Sequence, residues 1–312
     1  MQDGTQVQPR AAGGKPDGID RLRLPDGELW VNRAGGLDAA IRKYVFAGAP
    51  YREDFRPETL YENAPKGIRV TKLAIPGIGP CVLKEMSTAA VRGWRRRLEM
   101  AFRIAWRRKY RRTFAVAVAT RAAGVDAYEP HAYWYRRSGG ERRMFFLCEF
   151  VEGESFEALA RGMEYPESDR ESVLAGFRAL GEMAARLNDH GIVNSDMLPQ
   201  NAIFAEDGKG GRRLKLIDLD LACFAPTGGS RLAFVHRMRA FQRFVACYPL
   251  NEECLGAFLS AYSRGDAEHF ARCRKALEIY RRHPGNRLLA GMLAWLFCPP
   301  ERERSTTERG KI

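Results

Sequence analysis

Asp196 and Asn201 stand five residues apart in Ser195-Asp196-Met197-Leu198-Pro199-Gln200-Asn201, and another aspartate follows in Leu216-Ile217-Asp218-Leu219-Asp220. These residue types at this spacing suit phosphoryl transfer from a nucleotide. That reaction needs a carboxylate facing the acceptor hydroxyl, with an amide and a carboxylate holding magnesium against the phosphates. In a loop of the form Asp-x-x-x-x-Asn the aspartate meets the acceptor and the asparagine turns back toward the metal. Pro199 stiffens the turn between them. On this reading Asp196 accepts or orients the acceptor proton, and Asn201 and Asp218 are hard oxygen ligands for Mg2+. A lone aspartate in a loop more often caps a turn. Here the joint spacing of three residues favours chemistry. Asp218 falls in an apolar run read as a strand, where an unpaired carboxylate is costly, so a metal or cationic partner is expected beside it. Asp220 is read as an auxiliary contact at most.

The elements that must position these residues can be read around them. Residues 68–75 (IRVTKLAI) and 81–85 (CVLKE) form a hairpin across a Pro-Gly-rich turn, with a weaker strand upstream at 59–62. Lys84 lies on the second strand among apolar residues. There it is either a phosphate-binding point charge or a strand-edge lysine facing water. A long helix is expected over 87–123, closed by Gly124, then strands at 131–135 and 144–150, and a break at 152–155. The spacing of Val173, Leu174, Phe177, Leu180, Met183, Ala184 and Leu187 predicts a helix over 168–190 that ends just before the Asp196 loop. Residues 202–204 and 214–219 flank a Gly-rich turn as a short hairpin, and beyond Phe224 the pattern is helical. The fold class is α+β in two lobes. Residues 26–152 make a small β-rich N-lobe with a long basic helix and a hinge at its end, and residues 153–298 a larger, mainly helical C-lobe. Residues 1–25 and 299–312 are expected to be disordered tails.

Composition bounds the function. The chain has 312 residues, 45% of them hydrophobic, and a formal net charge of +13. It is long enough for a sizeable core, and its basic excess favours anionic partners. The seven cysteines lack metal-ligand spacing and read as reduced thiols rather than a zinc site or a disulfide framework. Residues 1–20 hold no apolar signal segment. No stretch approaches the roughly 18–20 apolar residues of a spanning helix, and residues 288–298 read as a core helix. The expectation is a cytoplasmic protein that can touch a membrane without crossing it.

The stretches quoted so far, with several more, resemble the protein-kinase-like superfamily and, more narrowly, the bacterial lipopolysaccharide kinases that phosphorylate heptose or Kdo sugars of the inner core. Cys81-Val82-Leu83-Lys84 resembles the strand bearing the phosphate-binding lysine. Arg111-Arg112-Thr113-Phe114 leading into Arg121-Ala122-Ala123-Gly124-Val125 is similar to the family's helix and its closing turn. Phe146-Leu147-Cys148-Glu149-Phe150-Val151-Glu152-Gly153 resembles the hinge. His190 through Asn201, and Leu216 through Asp220, resemble the catalytic and metal-binding segments. Phe258-Leu259-Ser260-Ala261-Tyr262 resembles a closing segment, so the likeness runs from about residue 60 to 265.

The resemblance implies ATP and Mg2+ as cofactors, Lys84 on the α and β phosphates, and backbone groups of Glu149 and Val151 for adenine. It implies a lipopolysaccharide core glycolipid as acceptor, met at the inner face of the cytoplasmic membrane. Three departures stand out. Asn194 replaces the usual histidine two residues before Asp196. No Gly-x-Gly-x-x-Gly precedes Lys84, which leaves the loop from Asn63 to Gly67 to cover the phosphates. Thr113 stands where a lysine-pairing glutamate is expected, so the helix partner of Lys84 stays unassigned. The Arg-rich stretch 92–112 places Trp94, Leu98, Phe102, Ile104 and Ala105 on one side, with Trp106 adjoining. It suits an anionic membrane surface, the phosphates of a lipid-linked glycan, or a solvated Arg face over packed aromatics. Nucleic acid is disfavoured, because no nucleic-acid motif accompanies the charge. Two rival readings remain: a kinase for a small alcohol or protein hydroxyl, and a non-catalytic pseudokinase regulator at the membrane.

Overall fold

Strict alternation along residues 79–87 sorts the sheet into two faces, with Cys81 and Leu83 on one and Val82 and Lys84 on the other. The computed structural model describes residues 18–33, 38–46, 55–89, 91, 93–102, 104, 109–161, 167–207, 210–225, 234–235, 237–241, 252–283 and 291–294. The chain divides into two compact units: residues 15–152 with 215–220, and residues 1–14, 153–214 and 221–312.

The first unit is built on a seven-stranded sheet of β1 (Ile19–Leu24), β2 (Gly27–Asn32), β3 (Glu58–Asn63), β4 (Ile68–Ile75), β5 (Gly79–Ser87), β6 (Pro130–Ser138) and β7 (Glu141–Glu149). Its order is β1-β2-β6-β7-β5-β4-β3, antiparallel throughout. On one face Leu29, Val31, Leu73, Cys81, Leu83, Phe145 and Leu147 bury against Ile41, Tyr44 and Val45 of α1 (Asp38–Phe46). On the other, Phe146 meets Tyr110 and Phe114 of α3 (Lys109–Ala122), and Tyr128, at ring-centroid distances of 6.2, 6.4 and 5.9 Å. Burying such side chains contributes about 1.5–3 kcal/mol each, which fixes both helices on the sheet. The turn from β3 into β4 depends on Gly67: its φ is 58°, and an added Cβ would lie 2.2 Å from the Ser87 carbonyl oxygen.

Residues 215–220 join this unit by backbone pairing. The Leu216 amide donates to the Asp126 carbonyl at 3.0 Å, and the Tyr128 amide donates to Leu216 at 2.9 Å.

The second unit is mainly helical, with α4 (Phe156–Arg161), α5 (Glu167–Asp189), α6 (Glu252–Tyr262) and α7 (Ala267–Arg282). Helices α5 and α6 approach closely at Gly181, where a Cβ would meet the Phe258 carbonyl oxygen at 2.3 Å. Asn188 on α5 donates to the Tyr262 hydroxyl at 2.8 Å. Asp266 caps α7 by accepting from the His269 amide at 3.0 Å. Short strands complete the framework: β8 (Glu154–Ser155), β10 (Ala202–Glu206) and β11 (Arg212–Leu216) in one sheet, β9 (Ile192–Asn194) and β12 (Ala222–Phe224) in another.

Several expectations need correction. Residues 19–24, expected within a disordered tail, form β1, whose alternating Arg and Leu side chains suit an edge strand; Arg21 lies over the Trp30 ring at 3.9 Å. Residues 1–17 and 299–312 lie outside the described residues. The helix expected from Ser87 starts later, as α2 (Trp94–Phe102). Ser87 still belongs to β5, its amide donating to Gly67 at 2.8 Å, and the Thr88 amide donates to Arg142 at 3.0 Å. Residue 103 and residues 105–108, including Ala105 and Trp106, also lie outside the described residues. The hairpin β1–β2 and helix α1 were not foreseen. Asp218 does not lie in a strand, because β11 ends at Leu216.

Candidate active site

In the sheet unit Lys84 stands mid-sheet, opposite Val70 on β4 and Phe146 on β7. Its side chain is 12% exposed, and its Nζ lies 3.1 Å from Asp218 Oδ1 and 3.2 Å from Asp220 Oδ1. It is therefore not a strand-edge lysine facing water. Burial disfavours its charge, but Asp220 and Asp218 outweigh that and hold its pKa well above the ordinary lysine value. The cationic partner expected beside Asp218 is this lysine. Asp218 is held from its own loop as well, its Oδ1 accepting from the Asp220 amide at 2.9 Å.

Asp220 carries more than the sequence suggests. Its second oxygen meets Lys109 Nζ at 2.7 Å, and its side chain is only 16% exposed. Burial raises the carboxyl's pKa, yet Lys84 and Lys109 together bring it down to about 2. Helix α3 thus reaches this cluster through a lysine on a carboxylate of the loop, rather than through a glutamate on Lys84. Thr113 is buried, and its hydroxyl donates to the Lys109 carbonyl at 3.2 Å. Sequence reasoning missed Lys109. Its one signal was its being the only lysine in a stretch, 92–112, whose other basic residues are all arginine. Tyr128 also belongs here. Its hydroxyl is buried with no hydrogen-bond partner among the described residues, and burial holds its pKa well above the ordinary tyrosine value.

The side chain of Glu149 has a part the sequence did not assign to it. Its carboxylate accepts from Lys215 Nζ at 2.7 and 2.8 Å and from the Glu129 amide at 2.8 Å, which clamps the base of the Asp218 segment. Val151 is buried just beyond β7.

In the helical unit the antiparallel pairing of β9 with β12 sets Asn194 opposite Ala222 and carries the chain into the Asp196 loop. The Asn194 side-chain oxygen accepts from the Asp196 amide at 3.0 Å. An asparagine side chain therefore scaffolds the loop. The Asp196 carbonyl accepts from the Leu198 amide at 2.8 Å and from Asn201 Nδ2 at 2.9 Å. Pro199–Asn201 form a single 3-10 turn. A carbonyl only accepts, so it is the NH2 of Asn201 that this contact fixes. Among the described residues no group of three or more His, Cys, Asp or Glu side chains is placed to hold a metal. No described helix is long and apolar enough to cross a membrane.

Comparison with known proteins bears on this arrangement. A solved structure of WaaP in complex with acyl carrier protein matches with a TM-score of 0.52, covering 85% of this chain and 97% of that one at 16% identity. The kinase domain of Mycobacterium tuberculosis PknI matches with a TM-score of 0.39, covering 70% of this chain and 86% of that one at 20% identity. The search of curated proteins gave no match. The likeness to WaaP shows the fold to be protein-kinase-like, a β-sheet N-terminal region followed by a helical C-terminal one. The family model described as "Lipopolysaccharide kinase (Kdo/WaaP) family" matches residues 96–262, more than half of the chain. The chain belongs to the Kdo/WaaP lipopolysaccharide kinase family and is an ATP-dependent phosphotransferase, a sugar kinase of lipopolysaccharide core biosynthesis.

Proposed function

We propose that the protein phosphorylates a heptose or Kdo hydroxyl of the lipopolysaccharide inner core, with Asp196 taking or orienting the acceptor proton. The observation that carries this reading is the closure of the Asp196 loop on its own carbonyl. One backbone oxygen accepts from both Leu198 and Asn201, so the proposed base and the proposed metal donor are set by the same turn. The Asp196 carboxylate accepts the hydroxyl proton as the acceptor oxygen bonds to the γ-phosphorus of ATP, while the bond from that phosphorus to the β–γ bridging oxygen breaks and ADP leaves with its electron pair. Lys84, kept charged by its carboxylates, suits the α and β phosphates as a point charge. The Glu149 carbonyl and Val151 amide would serve adenine, and the loop from Asn63 to Gly67 would cover the phosphates. Asn201 Oδ1 and Asp218 would hold Mg2+, which supplies positive charge to the β and γ phosphate oxygens.

The test is mass spectrometry of core glycolipid from cells with and without the protein, with fragmentation to locate any missing phosphate on heptose or Kdo. The purified Asp196→Ala variant should lose at least about 100-fold in turnover while remaining folded. An unchanged glycolipid, or full turnover in that variant, would overturn the assignment.

A further inference from the structure

Helix α2 presents its apolar stripe outward. Its buried residue is Met100. It is held to the sheet unit by Arg97 Nε donating to the Val91 carbonyl at 2.8 Å and by Arg142 donating to the Ala101 carbonyl at 3.1 Å. Trp94, Leu98 and Phe102 recur every four residues and share one side of the helix. They are 71%, 64% and 61% exposed. A helix of a globular domain normally turns such a stripe to the core, and a single exposed apolar residue would need no explanation. Three in register on one short helix do. Ile104, expected on the same side, is fully buried instead. A solvated Arg face over packed aromatics is therefore not what the helix makes, since it is the large apolar residues that face outward.

The charge around the stripe indicates what covers it. Residues 92–112 hold ten basic residues against one acidic residue, Glu99. Arg95, Arg96 and Arg97 are all exposed, and the Arg95 guanidinium lies 5.4 Å from the centre of the Trp94 ring. We propose that α2 docks on an anionic lipid surface, lying in its plane with Trp94, Leu98 and Phe102 at the headgroup–acyl boundary and the arginines on lipid phosphates. A protein partner or a second copy fits less well. The apolar surface here sits on three side chains of one nine-residue helix, whereas one side of a stable protein interface spreads over roughly 20–30 residues. The inference deepens the glycolipid reading by naming the surface where the acceptor is met, and for that role it rests on that reading.

The experiment is co-sedimentation of the full chain with vesicles of phosphatidylcholine containing about one-third phosphatidylglycerol, and with pure phosphatidylcholine. The wild type should pellet with the anionic vesicles and be released by salt. The double variant Trp94→Glu/Leu98→Glu should partition at least about ten-fold less, with an unchanged circular dichroism spectrum. Trp94→Phe/Leu98→Ile should keep binding. Equal partition of the Glu variant, no pelleting of the wild type, or a wild-type dimer that the Glu variant abolishes would each overturn the proposal. Turnover on delipidated core oligosaccharide separates the two readings. A Glu variant that retains it while losing vesicle binding supports docking through α2. If the wild type binds vesicles through α2 yet phosphorylates no core saccharide, the acceptor reading fails and the docking surface stands.

Discussion

Replacing Asp220 by Asn removes a charge while keeping the shape, which isolates the electrostatic role of this carboxylate. Its pKa is held at about 2 against an ordinary 3.8. At about 1.4 kcal/mol per tenfold change in proton affinity, that corresponds to about 2 kcal/mol of stability at neutral pH. Part of the effect comes through Lys109, which is 33% exposed and therefore partly screened. Losing a carboxylate beside the buried Lys84 acts in the opposite direction. A loss of about 2 kcal/mol is the expected balance. Because the folded pKa lies below the unfolded one, the contribution is full above about pH 4 and disappears as pH falls through about 2. The gap between wild type and variant should therefore close over that window. Urea unfolding followed by tryptophan fluorescence reports chiefly on the sheet unit, to which four of the five tryptophans belong, Trp30, Trp94 and Trp134 among them. A variant within about 0.5 kcal/mol of wild type at pH 7, or a gap that persists unchanged at pH 2, would refute the reasoning.

Lys109→Met should cost about 1 kcal/mol and raise the KM for ATP by loosening Asp220 against Lys84; an unaltered KM would detach Lys109 from the nucleotide site. Gly67→Ala forces a side chain into a left-handed turn and against the Ser87 carbonyl, so thermal unfolding should show a loss above about 1 kcal/mol. His131 is buried in β6, and that burial lowers its pKa to about 4 from 6.5. The unfolded chain then binds the proton first, so about 3 kcal/mol of stability should drain away between pH 6.5 and 4. The His131→Gln variant should lack that slope, and a wild type equally stable at both pH values would contradict it.

What the sequence disclosed was local. The Asp196–Asn201 spacing, the β4–β5 hairpin with Lys84 on its second strand, and helix α5 each declare themselves within a few turns of chain. The pairing of Lys84 with Asp218 could be suspected because both were placed by motif. Lys109 and Asp220 are 111 residues apart, and no periodicity connects them. Glu149 was read for its backbone, yet its carboxylate holds Lys215, a contact across 66 residues. The hairpin β1–β2 and helix α1 escaped notice because Arg21 and Arg23 give β1 a polar composition, while its pairing partner supplies the burial at Leu29, Trp30 and Val31. Asn194 looked like a lost histidine. Its side-chain oxygen on the Asp196 amide shows that the loop needs an acceptor there, which an amide also supplies.

The return of residues 215–220 to the first unit has a consequence for biosynthesis. As the chain leaves the ribosome, all seven strands of the sheet emerge before Asp218 and Asp220 do. Until residues 153–214 have also been made, Lys84 sits in the nascent sheet without the two carboxylates that stabilise its charge, a state disfavoured by several kcal/mol. A fragment stopped at Glu152 would carry the same handicap permanently. The N-terminal unit is therefore finished by a late piece of chain, so the lysine that would bind the nucleotide becomes settled only once the Asp196 loop has already been synthesised.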